Sequence, residues 1–185
     1  MKLPIVFDTD CISSFLWVKR LDIVKDLFPN QIVIPQTVYD ELNKIKNPQY
    51  RFLFNDLYTQ VLNKNFNLKS IMVSDQEFKE YCKLISMKNP KRIGRGEAAT
   101  IVIAKMLDGT VASNNLRDIL PYVGKNNIPY ICTEHILYYR YEKNFISIKE
   151  GSQIWDNMKR IGRILPNCDF KEIVRRFEIN NNQKF

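Results

Sequence analysis

Four carboxylates, Asp8, Glu41, Glu97 and Asp118, raise the first chemical question in this chain. Asp8 directly follows the apolar run "KLPIVF", which reads as a buried strand over 2–7. Thr9 and Asp10 share that junction. Asp118 stands shortly after "TVAS", in the first turn of the following helix, with Ser113 closing that stretch and Asn114 and Asn115 following it. Glu41 lies on the helix after the second strand, and Glu97 opens the helix that leads into "TVAS". In an open parallel sheet, ligands sit beyond the carboxyl ends of the strands. Asp8 and Asp118 are therefore expected to meet at one edge of the sheet, with Glu41 and Glu97 reaching the same spot from flanking helices. Such a cluster cannot stay fully ionised unpaired, because like charges raise one another's pKa. A divalent cation resolves the repulsion, and hard oxygen donors suit Mg²⁺ or Mn²⁺. Such an ion polarises a phosphate, acidifies its water and stabilises a leaving oxygen. Each acid also has a plainer reading. Asp8 can cap a helix, Glu41 can be a solvated helix residue, Glu97 can answer the helix dipole, and Asp118 can be surface. The chemical reading rests on the set.

The elements that must position these acids follow from the apolar pattern. Strands are expected over 2–7, 31–35, 68–73, 109–113 and 128–132. Helices are expected over 8–20, 21–28, 36–45, 49–64 and 74–88, the last capped by Ser74 or Asp75. A basic loop covers 89–95, and the helix carrying Glu97 runs to about Leu107. A short helix over 115–126, broken near Pro121, precedes the last strand, and helices over 133–144, 147–162 and 169–178 follow. Val38, Leu42 and Ile45 mark one apolar helix face, and Leu53, Leu57, Val61 and Leu62 another. Several strands are continuous apolar runs, as expected when both faces are covered. The fold class expected is α/β, a three-layer α/β/α sandwich around a central parallel sheet. Residues 1–132 form its core, and 133–185 form a helical extension packed on the same domain, with a frayed tail.

The chain has 185 residues, 45% of them hydrophobic, and a formal net charge of +8. That is the composition of an ordinary globular protein, and its basic surface favours a polyanion such as nucleic acid or an acidic protein. The four cysteines, Cys11, Cys82, Cys132 and Cys168, form no CxxC pair, and the single histidine, His135, neighbours only one of them. Neither a zinc site nor a disulfide framework is expected, and the thiols read as buried and free. No apolar run is long enough to span a bilayer, and the expected location is the cytoplasm.

The stretches "IVFDTDCI", "VIPQTVYDEL", "GRGEAATIVIAK" and "TVASNNLRDIL" together resemble the PIN domain, in the order and spacing of small prokaryotic members that include the VapC-type toxins. The resemblance covers roughly residues 3–132. The tail around Asn144-Phe145-Ile146-Ser147 is similar, more loosely, to a poorly characterised PIN-like subgroup. The resemblance implies a Mg²⁺- or Mn²⁺-dependent ribonuclease, the toxin of a toxin–antitoxin pair in one version, with RNA as substrate, an antitoxin as partner, and a homodimer. Carried over by motif, the catalytic acids are Asp8, Glu41, Glu97 and Asp118, with Asp8, Glu97 and Asp118 on the metal. Thr9, Asp10, Ser113, Asn114 and Asn115 support them. Many relatives carry an acid where this chain has Asn115, and Asp118 resembles the acid that some carry three residues later. An inactive PIN-like scaffold that binds nucleic acid or a partner is the alternative.

Lys91, Arg92, Arg95 and Arg117 are candidates for holding substrate phosphates. Tyr138, Tyr139 and Tyr141 beside Arg140 could stack on bases, but packing is the favoured reading. Ile154, Trp155, Met158 and Ile161 fall at helical spacing and read as core or interface.

Overall fold

The computed structural model describes residues 3–74 and 76–182, so Lys2 and Asp75 fall outside the described residues. The sheet is built from β1 (Ile5–Phe7), β2 (Ile32–Pro35), β3 (Asn67–Lys69), β4 (Thr110–Ala112) and β5 (Tyr130–Ile131). All pairings are parallel, in the order β3-β2-β1-β4-β5. The chain builds outward from β1 to one side, then crosses back to place β4 on the other side. The topological switch point therefore lies between β1 and β4, where Phe7 pairs with Ala112.

Alternation along these strands makes three layers. Ile5, Phe7, Ile32 and Ile34 face one apolar cluster, while Val6, Val33 and Val111 face the other. The first cluster is covered by α1 (Thr9–Trp17), α2 (Leu21–Leu27), α3 (Gln36–Asn43) and α4 (Arg51–Leu62), together with α8 (Thr133–Glu142), α9 (Ile148–Arg160) and α10 (Phe170–Asn182). The second is covered by α5 (Gln76–Ile85), α6 (Arg95–Met106) and α7 (Leu116–Val123). The three-layer α/β/α class expected from the sequence is thus the class observed.

Several local expectations are corrected. The third strand is Asn67–Lys69, not 68–73, and it is an exposed edge. Its last partner is Pro35, where β2 itself ends, so the residues after Lys69 have no strand to continue along. Pro121 does not break its helix, which runs unbroken over Leu116–Val123. Pro121 is exposed, which leaves the carbonyl it deprives of a donor on the solvent side. Leu62 is 64% exposed and Ile161 is 42% exposed, because α4 and α9 end beside them and their last turns leave the core. Cys82 is exposed on the outer face of α5, whereas Cys11 and Cys132 are buried as expected.

Candidate functional site

Asp8 sits where β1 ends and α1 begins. Its Oδ1 accepts from the Cys11 backbone N–H at 2.8 Å, which makes it the N-cap of α1. Its Oδ2 accepts a hydrogen bond from the Ser113 hydroxyl across the switch point. The capping reading is therefore correct, yet it does not exhaust the residue. Asp8 is 1% exposed, and no cation is among its partners. Burial, more than the nearby Asp10 and Glu97, pushes its carboxyl from an ordinary 3.8 to about 7, against the lowering effect of the two hydrogen bonds.

Glu41 and Glu97 gather around it, and Asp118 is linked to Glu97. A concave site of about 290 Å³ is lined by Asp8, Thr9, Asp10, Glu41, Gly94, Arg95, Gly96 and Glu97. Glu41 reaches over from α3 and accepts a hydrogen bond from the Thr9 hydroxyl. Glu97, in the first turn of α6, accepts from the Asn115 side-chain amide at 2.6 Å. The same amide nitrogen donates to Asp118 at 2.9 Å, so Asn115 ties Asp118 to Glu97. Asn115 is aligned in turn by Ser113, whose hydroxyl accepts from the Asn115 backbone N–H at 3.1 Å. One hydroxyl thus links Asp8 to the turn that carries Asp118.

The glycines of "GRGE" make room for this arrangement. A Cβ on Gly96 would lie 3.1 Å from the Thr9 hydroxyl oxygen and 3.3 Å from a Glu41 carboxylate oxygen. A Cβ on Gly94 would meet Glu97 itself. The helix start therefore passes close under two carboxylates because it carries no side chain there.

The remaining expected residues divide. Asp10 is on the rim but is claimed by Arg163, which donates to its Oδ1 at 2.8 Å. Asn114 does not line the cavity. Its carbonyl oxygen accepts from the Thr133 backbone N–H at 2.9 Å and its amide donates to Ser14 at 3.3 Å, so it fastens β4 to α1 and α8. Arg95 lines the site, while Lys91, Arg92 and Arg117 are exposed nearby in sequence and do not line it. Tyr138 is 3% exposed and stacks on Phe177 at 4.6 Å, and Arg140 is 7% exposed and pairs with Asp26, so this cluster is packing rather than a base platform.

Sequence reasoning missed Arg163. Its partner is 153 residues away, and no local pattern marks it. It also missed a group at the start of α8, where ligand atoms of Cys132, Glu134 and His135 lie within 4.8 Å of one another.

A parallel α/β sandwich with a buried acid at its switch point, and further acids converging on it from neighbouring helices, defines a protein built to hold positive charge at the carboxyl edge of its sheet. The family model described as "DUF3368: PIN domain" matches residues 4–178, nearly the whole chain, and the chain belongs to the PIN domain family. The match includes α8 and α9 and most of α10, beyond the residues that carried the resemblance by motif. No curated protein matches the chain. The PIN fold is a nuclease fold, and no helix among the described residues is long and apolar enough to cross a membrane.

Proposed function

We propose that this chain is a divalent-cation-dependent endoribonuclease and the toxin half of a toxin–antitoxin pair. The observation that carries the nuclease reading is the convergence of Asp8, Glu41 and Glu97 on one cavity, with Asp118 joined to Glu97 through the Asn115 amide and neutral donors rather than cations between them. The donor set fits Mg²⁺ or Mn²⁺. It is all oxygen, it carries a surplus of negative charge, and the nearby Arg163 guanidinium is already engaged by Asp10. Asp8, Glu97 and Asp118 would hold the ion. When bound, it supplies Lewis-acid polarisation of the scissile phosphate and acidifies its water.

The chain's own residues do the rest. Asp8 is fixed by two hydrogen bonds, so its carboxylate does not have to be ordered when the ion arrives. Glu41, exposed and held by Thr9, is placed to accept a proton from the attacking water. Arg95 at the cavity wall, with Lys91, Arg92 and Arg117 outside it, offers positive charge to the flanking phosphates. The net charge of +8 favours a polyanionic substrate. The toxin reading draws on the rim, where the Arg163–Asp10 pair displays the guanidinium contact that an inhibitory partner would make. Copurification of a partner encoded beside this chain tests it.

The nuclease test is cleavage of a structured RNA by the purified protein with Mn²⁺, compared with a chelator control and with Glu97→Gln. Cleavage is expected only with the ion, and Glu97→Gln is expected to lower it by about 100-fold or more, as for loss of a ligand rather than of a supporting group. Equal cleavage by both proteins sinks the assignment. A second expectation concerns Gly96→Val. Its side chain displaces Glu41 and Thr9, so the cleavage rate falls about tenfold or more while the circular dichroism spectrum is unchanged. An unchanged rate would remove Glu41 from the mechanism.

Asn115 favours a second reading, a scaffold that binds RNA without cutting it. Its amide occupies oxygens of Glu97 and Asp118 that a cation would use. Calorimetry separates the two. Retained RNA affinity with no heat from Mn²⁺ selects the scaffold.

A further inference from the structure

At the start of α8, away from the acidic cavity, three side chains of different chemistry converge. Cys132 follows β5 and is 6% exposed. Its sulfur lies 2.9 Å from Nδ1 of His135, and a carboxylate oxygen of Glu134 completes a group whose ligand atoms all lie within 4.8 Å. We propose that Cys132, Glu134 and His135 form a second cation site, of mixed thiolate, carboxylate and imidazole character, that takes Zn²⁺.

The plain alternative is that Cys132 and His135 only cap a helix. They do form a reciprocal capping box, each side chain accepting from the other's backbone N–H. Capping accounts for two of the three residues, and Glu134, an acid in the first turn, takes no part in it. Glu134 Oε2 is buried without a hydrogen-bond partner. Its nearest cation, Arg176 on α10, stays 3.7 Å away and donates instead to the Cys168 sulfur at 2.9 Å. A buried carboxylate oxygen that makes no hydrogen bond and only a loose ion pair at 3.7 Å, beside a thiol and an imidazole, has room for a closer positive partner.

The dimensions suit a tetrahedral ion. With Zn–S near 2.3 Å and Zn–N near 2.0 Å, the sulfur and nitrogen must stand roughly 3.5 Å apart. The observed 2.9 Å needs only a small opening. The imidazole is already oriented by the Phe177 ring, 4.9 Å away and edge-on, and by Tyr130. Arg176 opposes the ion by its charge, but it is 47% exposed and free to swing outward. Three protein ligands leave one tetrahedral position for water or a further ligand. The softer donor set separates this site from the all-oxygen cavity, which prefers a harder ion. On binding, the Cys132 thiol gives its proton to solvent and coordinates as thiolate. The ion would join Glu134 to Cys132 and His135 at the start of α8, and it would sit next to Thr133, whose backbone N–H holds Asn114.

The test uses chelator-treated full-length protein and Co²⁺ alone as the probe, followed by Zn²⁺ competition. A thiolate-to-cobalt charge-transfer absorption reports cysteine ligation, which the acidic cavity cannot produce. Wild type and Asp8→Asn are expected to show the band at stoichiometric Co²⁺ and to lose it to Zn²⁺. Cys132→Ser and His135→Gln keep oxygen acceptors for the cap, so the helix still starts, and the band is expected to vanish with affinity at least about 100-fold lower. Zn²⁺ is expected to raise the thermal midpoint of the wild type and not of these two variants. Absence of the band in wild type at excess Co²⁺, or its survival in Cys132→Ser, overturns the site. Either result leaves the nuclease reading untouched, because Asp8→Asn disables only the acidic cavity.

Discussion

Stripped of divalent ions, Asp8→Asn protein will be more stable than wild type at pH 8 and inactive as a nuclease. Asn keeps the cap of α1, since its carbonyl oxygen accepts from the Cys11 N–H as the carboxylate does. What it removes is a charge buried without a cation. The folded-state pKa of Asp8 lies at about 7, above its ordinary 3.8. The folded state therefore holds the proton more tightly than the unfolded chain, and this group's contribution is fully present below about pH 4. It is lost as pH rises towards 7 and stays lost above. Wild-type stability without metal should fall across that window, and in Asp8→Asn that part of the slope should disappear. The gain at pH 8 is expected to be about 1–3 kcal/mol, with the thermal midpoint moving about 2–4 °C per kcal/mol in a domain of this size. Added Mn²⁺ should reverse the order, because it stabilises only the protein that can supply the carboxylate. Thermal melts at pH 5 and pH 8, with and without Mn²⁺, measure all of this. A less stable variant at pH 8 without metal would show that Asp8 is mainly a cap.

Gly151→Val should be the most damaging single substitution in the C-terminal helices. A Cβ at Gly151 would sit 2.1 Å from Cε1 and 2.5 Å from Cδ1 of Phe170. Gly151 is buried on α9, and Phe170 on α10 is fully buried with Tyr141 edge-on at 6.2 Å. The ring has nowhere cheap to go, so α9 and α10 must separate. Overpacking of this kind costs about 1–3 kcal/mol for a small increment. The helix-propensity gain on replacing glycine offsets less than about 1 kcal/mol of it, and a β-branched side chain recovers less than alanine would. We expect a net loss of about 2–3 kcal/mol for valine, read as a lower urea midpoint at unchanged slope. Phe170→Leu in the same background should restore part of the loss by vacating the contested space. An unchanged midpoint for Gly151→Val would mean that this helix pair yields easily.

The sheet and the acids were legible because they depend on short-range pattern. "IVF" and "TVA" are apolar runs followed at once by polar residues, and a parallel sheet forces the residues after such runs to its carboxyl edge. Asp8, Glu41 and Glu97 line the cavity and Asp118 joins Glu97 through Asn115 for that reason. The third strand was misjudged because its length is set by β2, not by its own apolar content. Pro121 looked like a helix break because exposure, which makes the lost hydrogen bond tolerable, is a property of the fold. Asn115 looked like a missing charge. Its use as a donor to two carboxylates depends on a rotamer that sequence does not display. Cys132 and His135 were set aside by counting cysteine pairs, which overlooked the carboxylate lying between them in "CTEH".

The central place of β1 also sets when the cavity can exist. A ribosome delivers Asp8 early and Glu41 soon after, but Val6 pairs with Val111, and the hydroxyl that steadies Asp8 belongs to Ser113. The cluster behind β1 further requires Trp155, Phe170 and Ile173, which are made much later still. Contacts between such distant parts of the chain form slowly and cannot precede synthesis. A nascent chain therefore carries all the ingredients of an acidic pocket in unassembled form while it is still attached to the cell's richest store of RNA. Birth order within the fold acts as a delay, because the pocket is assembled only once the residues that brace it from behind have been made.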